Sequence, residues 1–227
     1  MNSNNHFISG IITGLIFGLL SSFVFNPIDK IIFIITTKNC KISDKNLWKG
    51  LYDGLFITIT SRFMTSGLYY AFLDYYSGIG MSNLETSIIT SIACSIINPL
   101  HLIKFNSWYN CRSCSASYNL IIKTYGYKGL AIGIIPLITR DILYNYIYLS
   151  INRDDDTTLH LIAILSSLII ASPINLIKNK KYASNESLRT IIKNFDTSQL
   201  GISASIIRMV LWVYFNKIIY NYIKYLL

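Results

Sequence analysis

The sequence predicts an all-α membrane protein: six transmembrane helices arranged as three two-helix repeats with pseudo-threefold symmetry. Short surface helices are expected in its basic loops. Three observations predict this. Only 14% of the 227 residues are charged and 52% are apolar, where a soluble domain carries about 25% charged residues. Mean hydropathy is accordingly positive, +0.43. Six apolar stretches follow one another, and three of them carry a proline at a matched place.

The stretches run over Phe7–Thr36, Leu55–Tyr76, Leu84–Trp108, Leu130–Ile151, Leu159–Ile177 and Leu200–Leu226. Each approaches or exceeds the roughly 20 residues that cross a hydrocarbon core as a helix. Helices satisfy every backbone group within the segment, which lipid demands. The first stretch lacks a basic leader and a small-residue cleavage site, so it reads as a mature helix, not a signal peptide.

Asn26-Pro27, Asn98-Pro99 and Ser172-Pro173 fall late in the odd-numbered stretches, with the prolines 72 and 74 residues apart. Proline removes a helical hydrogen bond and bends the axis, so Pro27, Pro99 and Pro173 are expected kinks. The even stretches share a lead-in. Trp48-Lys49-Gly50-Leu51-Tyr52-Asp53-Gly54 precedes the second and Tyr127-Lys128-Gly129-Leu130-Ala131-Ile132-Gly133 the fourth. The third copy keeps Gly201. The repeats therefore span about 1–78, 79–153 and 154–227 of a single domain. Gly10, Gly14 and Gly18, and likewise Ser87, Ser91 and Ser95, give small-xxx-small spacing. That spacing lets helices approach closely and needs no further function.

Of the 20 basic residues, 13 follow odd stretches. They are Lys38, Lys41, Lys45 and Lys49; Lys104, Arg112, Lys123 and Lys128; and Lys178, Lys180, Lys181, Arg189 and Lys193. This asymmetry puts both termini on the less basic side. Tyr118–Tyr125 is amphipathic and is expected on the membrane surface. The abundance of Ile, Asn, Lys and Tyr reflects A/T-rich codons and carries no function.

These residues resemble the mitochondrial carrier family over nearly the whole chain, as a short and divergent member. In that family each odd helix ends in Pro-x-Asp/Glu-x-x-Lys/Arg. Here the signatures read Pro27-Ile28-Asp29-Lys30-Ile31-Ile32, Pro99-Leu100-His101-Leu102-Ile103-Lys104 and Pro173-Ile174-Asn175-Leu176-Ile177-Lys178. Tyr125-Gly126-Tyr127-Lys128-Gly129-Leu130, followed by Pro136 and Arg140, is the most family-like run. The resemblance implies a matrix-side gate in which the acid of one repeat meets the base of the next. Asp29 would then face Lys104, His101 would face Lys178, and Asn175 would face Ile32. One ionic pair of three survives, so this gate is expected to close by packing and neutral hydrogen bonds. An opposite gate would keep Asp74 and Lys224. It departs from the pattern at Ser77, Arg153, Asp156 and Asn221.

Arg62, Arg140 and Arg208 lie 8, 7 and 7 residues after Gly54, Gly133 and Gly201. That is ~10–12 Å into each even helix. Charge at this depth is costly and faces a cavity or a partner. The resemblance makes this the substrate level, with Ser61, Arg62, Arg140, Asp141 and Arg208 as contacts. Three guanidinium groups favour a phosphate or carboxylate. Tyr69, Tyr70, Tyr144, Tyr146 and Tyr148 offer stacking faces for a base, although the chain's 17 tyrosines also suit membrane interfaces. The Arg140-Asp141 pair resembles carriers of amino acids.

The reading is thus a secondary transporter of a small anion by alternating access. A nucleotide (ADP/ATP or a deoxynucleotide) leads, exchanged across the inner mitochondrial membrane with the basic loops in the matrix. An amino acid or carboxylate carrier and a non-transporting membrane scaffold are the alternatives. Cardiolipin at the basic side and a monomeric state follow from the resemblance. No enzyme or cofactor is implied: P-loop, dinucleotide and nucleophile-elbow motifs do not occur. Cys111-Arg112-Ser113-Cys114 is a lone CxxC without a second ligand pair. His6, His101 and His160 share no metal spacing. The loop charge is explained by topology without nucleic acid.

Overall fold

The structure, a computed structural model, describes residues 3–38, 44–151, 157–184 and 186–226. Its elements are α1 (Ser3–Lys38), α2 (Leu55–Gly78), α3 (Asn83–Cys94), α4 (Asn98–Asn110), α5 (Cys114–Tyr125), α6 (Ile134–Ile151), α7 (Thr157–Ser184), α8 (Leu188–Lys193) and α9 (Ile202–Leu226). No strand occurs among the described residues. Four described stretches are long and apolar enough to cross a membrane: Gly18–Lys38, Asn83–Asn110, Tyr127–Ile151 and Thr158–Ser184. Ile202–Phe215 is apolar but shorter. The chain is an all-helical protein with the helices of a membrane protein.

The expected third stretch is two helices, not one. A 3₁₀ turn, Ser95–Ile97, separates α3 from α4, and Pro99 sits in the first turn of α4. A first-turn residue needs no intrahelical N–H, so the proline starts a helix instead of bending one. Pro27 and Pro173 do lie inside α1 and α7. Two starts also move inward. Helix α6 begins at Ile134 and α9 at Ile202, because a glycine with positive φ precedes each. Lys104 and Lys178, expected in loops, lie within α4 and α7 and are buried.

The helices form a closed ring. Helix α1 packs on α2, α2 on α3, α3 on α6, α6 on α7, α7 on α9, and α9 returns to α1. Helices α1, α4 and α7 also touch one another pairwise. Their C-terminal parts converge on a core of Phe33, Ile34, Leu47, Trp108 and Ala183. Phe105 is its hub. Its ring centroid lies 4.6 Å from Phe33, 5.4 Å from Trp108 and 5.6 Å from Tyr182.

Gly54, Gly133 and Gly201 stand immediately before α2, α6 and α9 with φ of +73°, +78° and +59°. Only glycine adopts such angles without steric cost. Gly54 sits against α4, Gly133 against α7 and Gly201 against α1. A Cβ at Gly54 would lie 3.4 Å from the Trp108 indole nitrogen. One at Gly133 would lie 2.4 Å from the Tyr182 ring, and one at Gly201 2.4 Å from the Thr36 methyl. Trp108, Tyr182 and Thr36 are each nine residues beyond a proline: Pro99, Pro173 and Pro27.

Asparagines tie two of the lead-ins to the helices before them, α1 and α4. Asn26 Nδ2 donates to the Leu51 carbonyl at 2.9 Å, and Asn98 Nδ2 donates to the Leu130 carbonyl at 2.8 Å. In α7 the corresponding residue is Ser172, and its hydroxyl donates to Ile169 in its own helix. Two short surface helices also correspond. Ser113 caps α5 and Ser187 caps α8, each accepting from a backbone N–H three residues on. Both serines lie 14 residues after a proline. Helix α5 covers the expected amphipathic stretch.

Gly18 brings α1 against the α2 backbone, where its Cβ would meet the Arg62 carbonyl oxygen at 3.1 Å. Close packing accounts for that glycine. Gly133→Ala is expected to cost about 3 kcal/mol, adding backbone strain to the clash with Tyr182. Gly80→Ala, with φ +79° and nothing within 4 Å, should cost only about 1 kcal/mol. Thermal unfolding of the two variants in detergent checks the difference.

Candidate functional site

The ring encloses a cavity of about 480 Å³ bordered by α1, α2, α3, α4, α6, α7 and α9. That volume suits a small molecule. The three arginines reach it together, as their repeated depth implies: Arg62, Arg140 and Arg208 all line the cavity. So do Asp29, Asp141, His101, Asn175 and Lys178. Four cationic side chains thus face two carboxylates across the lining, which leaves an excess of positive charge.

Asp29 organises the arginines. Its carboxylate accepts from the Arg62 guanidinium through one oxygen and from Arg208 Nε through the other, the latter at 2.8 Å. Arg62 also donates to the Ser21 carbonyl. One acid therefore links α1 to α2 and α9. The expected Asp29–Lys104 pair does not form. Arginines from neighbouring helices reach Asp29 first, and Lys104 instead lies over the Phe105 and Trp108 rings at 4.7 and 5.0 Å.

Of the other expected gate residues, His101 and Lys178 lie against the same Phe105 ring. Asn175 and Ile32 both line the cavity, and Asn175 accepts from Arg140 Nη1 at 3.4 Å. Arg140 is paired with Asp141 beside it. His101 stacks against Phe105 at 6.1 Å, and its buried Nδ1 has no hydrogen-bond partner among the described residues. Lys178 lies over the Phe105 and Tyr182 rings at 5.6 and 5.9 Å. The convergence of α1, α4 and α7 is consequently aromatic, with Phe33, Phe105, Trp108 and Tyr182 in place of an ionic ring.

Lys104 and Lys178 are each 4% exposed and form no ion pair with any carboxylate among the described residues. Removing an ammonium from water costs several kcal/mol even after relaxation. Contact with an aromatic face returns only about 2 kcal/mol. Two buried lysines thus lie against the Phe105 ring without a direct carboxylate partner among the described residues, and one of them, Lys178, lines the cavity.

Lys30, off the signature position, has a structural role. Its Nζ donates to the Lys49 and Gly50 carbonyls and to Asp53, at 3.2, 2.5 and 3.0 Å. Ser61 is fully buried, bonds to Thr58 in its own helix and does not reach the cavity. Successive helical residues point about 100° apart, so Ser61 and Arg62 cannot share that face. Tyr144 and Tyr148 line the cavity, whereas Tyr146 is 43% exposed on the outside. The side chains of Asp74, Lys224, Tyr69 and Tyr70 lie outside the described residues.

Sequence reasoning passed over Asn145, which lines the cavity and donates to Ser91 at 3.2 Å across α3 and α6. It also passed over Phe105 and Trp212. A buried polar residue in an apolar stretch was the available signal for Asn145. Cys111 and Cys114 are unpaired, and no metal-ligand cluster occurs among the described residues. No protein-family model matches the chain, and no curated protein matches it.

Asp29→Ala would strand two part-buried guanidinium groups and should cost about 3 kcal/mol of stability. Lys104→Asp should not restore it, since Lys104 is not the partner of Asp29. Thermal unfolding of the single and double variants checks both outcomes.

Proposed function

We propose that the chain is a secondary transporter of mitochondrial-carrier type that moves a small anion through the central cavity. The observation that carries this reading is the excess of cationic side chains around a partly open, ligand-sized cavity. The ring of helices supports it, with three equivalent glycine contacts passing from each repeat to the next. In this reading α2 and α9 complete six crossings. At 24 and 25 residues they are long enough, by ~1.5 Å per residue. The three pairs α1/α2, α3–α4/α6 and α7/α9 are then pseudo-threefold repeats, and the aromatic convergence closes one end.

The transported anion is a nucleotide, taken in exchange for another across the inner mitochondrial membrane. Arginines and Lys178 suit its phosphates, and Tyr144, Tyr148 and Trp212 border the same cavity and can stack on a base. The basic loops face the matrix, where cardiolipin fits their charge. One observation favours a second reading. Arg140 and Asp141 form a pair in the cavity wall, an arrangement suited to the carboxylate and ammonium groups of an amino acid.

Uptake by liposomes holding the purified chain separates the readings. Labelled ADP, ATP and deoxynucleotides should enter, and Arg140→Ala or Arg208→Ala should lower uptake by about tenfold or more. Amino acid uptake without nucleotide uptake would support the second reading. No uptake of any solute by folded, inserted protein would leave a membrane scaffold and contradict transport.

A further inference from the structure

We infer that Lys178 and His101 form an anion subsite in the cavity lining, distinct from the arginine level and taking the terminal phosphate of a polyphosphate. This rests on the proposed anion cavity and deepens it by naming the class of solute: a multiply charged anion, not a single phosphate or carboxylate. The arginines are already committed. Arg62 and Arg208 share Asp29, and Arg140 holds Asp141 and Asn175. The subsite is not committed. Lys178 lines the cavity, is 4% exposed and has no carboxylate partner among the described residues. His101 lines it too, with a buried Nδ1 that has no hydrogen-bond partner among the described residues. Lys104 is not part of the lining but lies buried over the same Phe105 ring.

Lys178 follows Asn175 by three residues on α7, ~4.5 Å further along the axis than the side chain that meets Arg140. Two cationic levels about one helical turn apart match an anion with linked charged groups. An end phosphate at the subsite would accept hydrogen bonds from Lys178 and from protonated or suitably tautomeric His101. It would also neutralise charge that aromatic contacts alone do not. The residues expected to close a gate therefore bind solute while the gate is shut.

Binding to the whole purified chain in detergent tests this without any transport step. The probes are inorganic phosphate, pyrophosphate and tripolyphosphate. Wild-type protein should bind tripolyphosphate about tenfold or more tighter than phosphate. Lys178→Gln should bring that ratio close to one, while Lys123→Gln on exposed α5 leaves it unchanged. Lys178→Met should raise the melting temperature of the ligand-free protein and abolish the shift caused by tripolyphosphate. An unchanged ratio in Lys178→Gln, or a lower ligand-free melting temperature for Lys178→Met, overturns the subsite but not the anion cavity. Failure of all three anions to bind overturns both. Displacement of tripolyphosphate by added cardiolipin would put a lipid phosphate there and also overturns the solute subsite.

Discussion

The structure depends on one recurring contact: a glycine that turns the chain into α2, α6 or α9 while lying against α4, α7 or α1 respectively. Gly54 meets Trp108, Gly133 meets Tyr182, and Gly201 meets Thr36. All three have backbone angles that favour glycine, and at Gly133 and Gly201 a Cβ would also come within 2.4 Å of its neighbour. Because the third contact returns to α1, the set closes the helices into a ring. The ring fixes the depth at which the arginines enter, and it leaves a space that the side chains do not fill. A bundle packed without these contacts would have no reason to keep a polar interior.

Charge in that space is arranged unevenly. Asp29 serves two arginines from two helices, so a single carboxylate fastens three elements around the cavity. Its geometry explains why the neighbouring signature charges can be absent. The helical convergence relies on Phe105 and the rings around it, not on ion pairs. Aromatic packing in a dry interior needs no partner charge, whereas each buried ion pair carries a desolvation cost. An aromatic closure therefore tolerates the loss of acids that an ionic closure would not. The remaining lysines, Lys104 and Lys178, lie over these rings and form no ion pair among the described residues.

The sequence made the period legible but not the pairings. Matched prolines marked the three odd helices, and matched glycines marked the starts of the even ones, because each residue type constrains its own backbone. Arginine depth was legible for the same reason, since distance along a helix follows from counting residues. The partners of Asp29 were not legible. A signature fixes where an acid sits on its own helix, but an arginine side chain long enough to cross between helices decides which base arrives. Ser61 failed through rotation, as one residue of offset turned it away from Arg62 into the packed interface. Pro99 failed because a 3₁₀ turn relieved the constraint that kinks a continuous helix. Asn26 and Asn98 stood beside the prolines in plain view. Their amide bonds to Leu51 and Leu130 join segments 25 and 32 residues apart, which no local pattern reveals.

The central claim is that the cavity is an electropositive passage for anions, and charge-selective labelling tests it most directly. Ser205 lines the cavity. In a chain whose own four cysteines are replaced by serine, Ser205→Cys would be exposed to thiol reagents of equal size and opposite charge. The anionic sulfonate reagent should react about tenfold or more faster than the cationic ammonium reagent, with the difference shrinking as salt is added. Equal rates, or faster reaction with the cation, would contradict an anion passage.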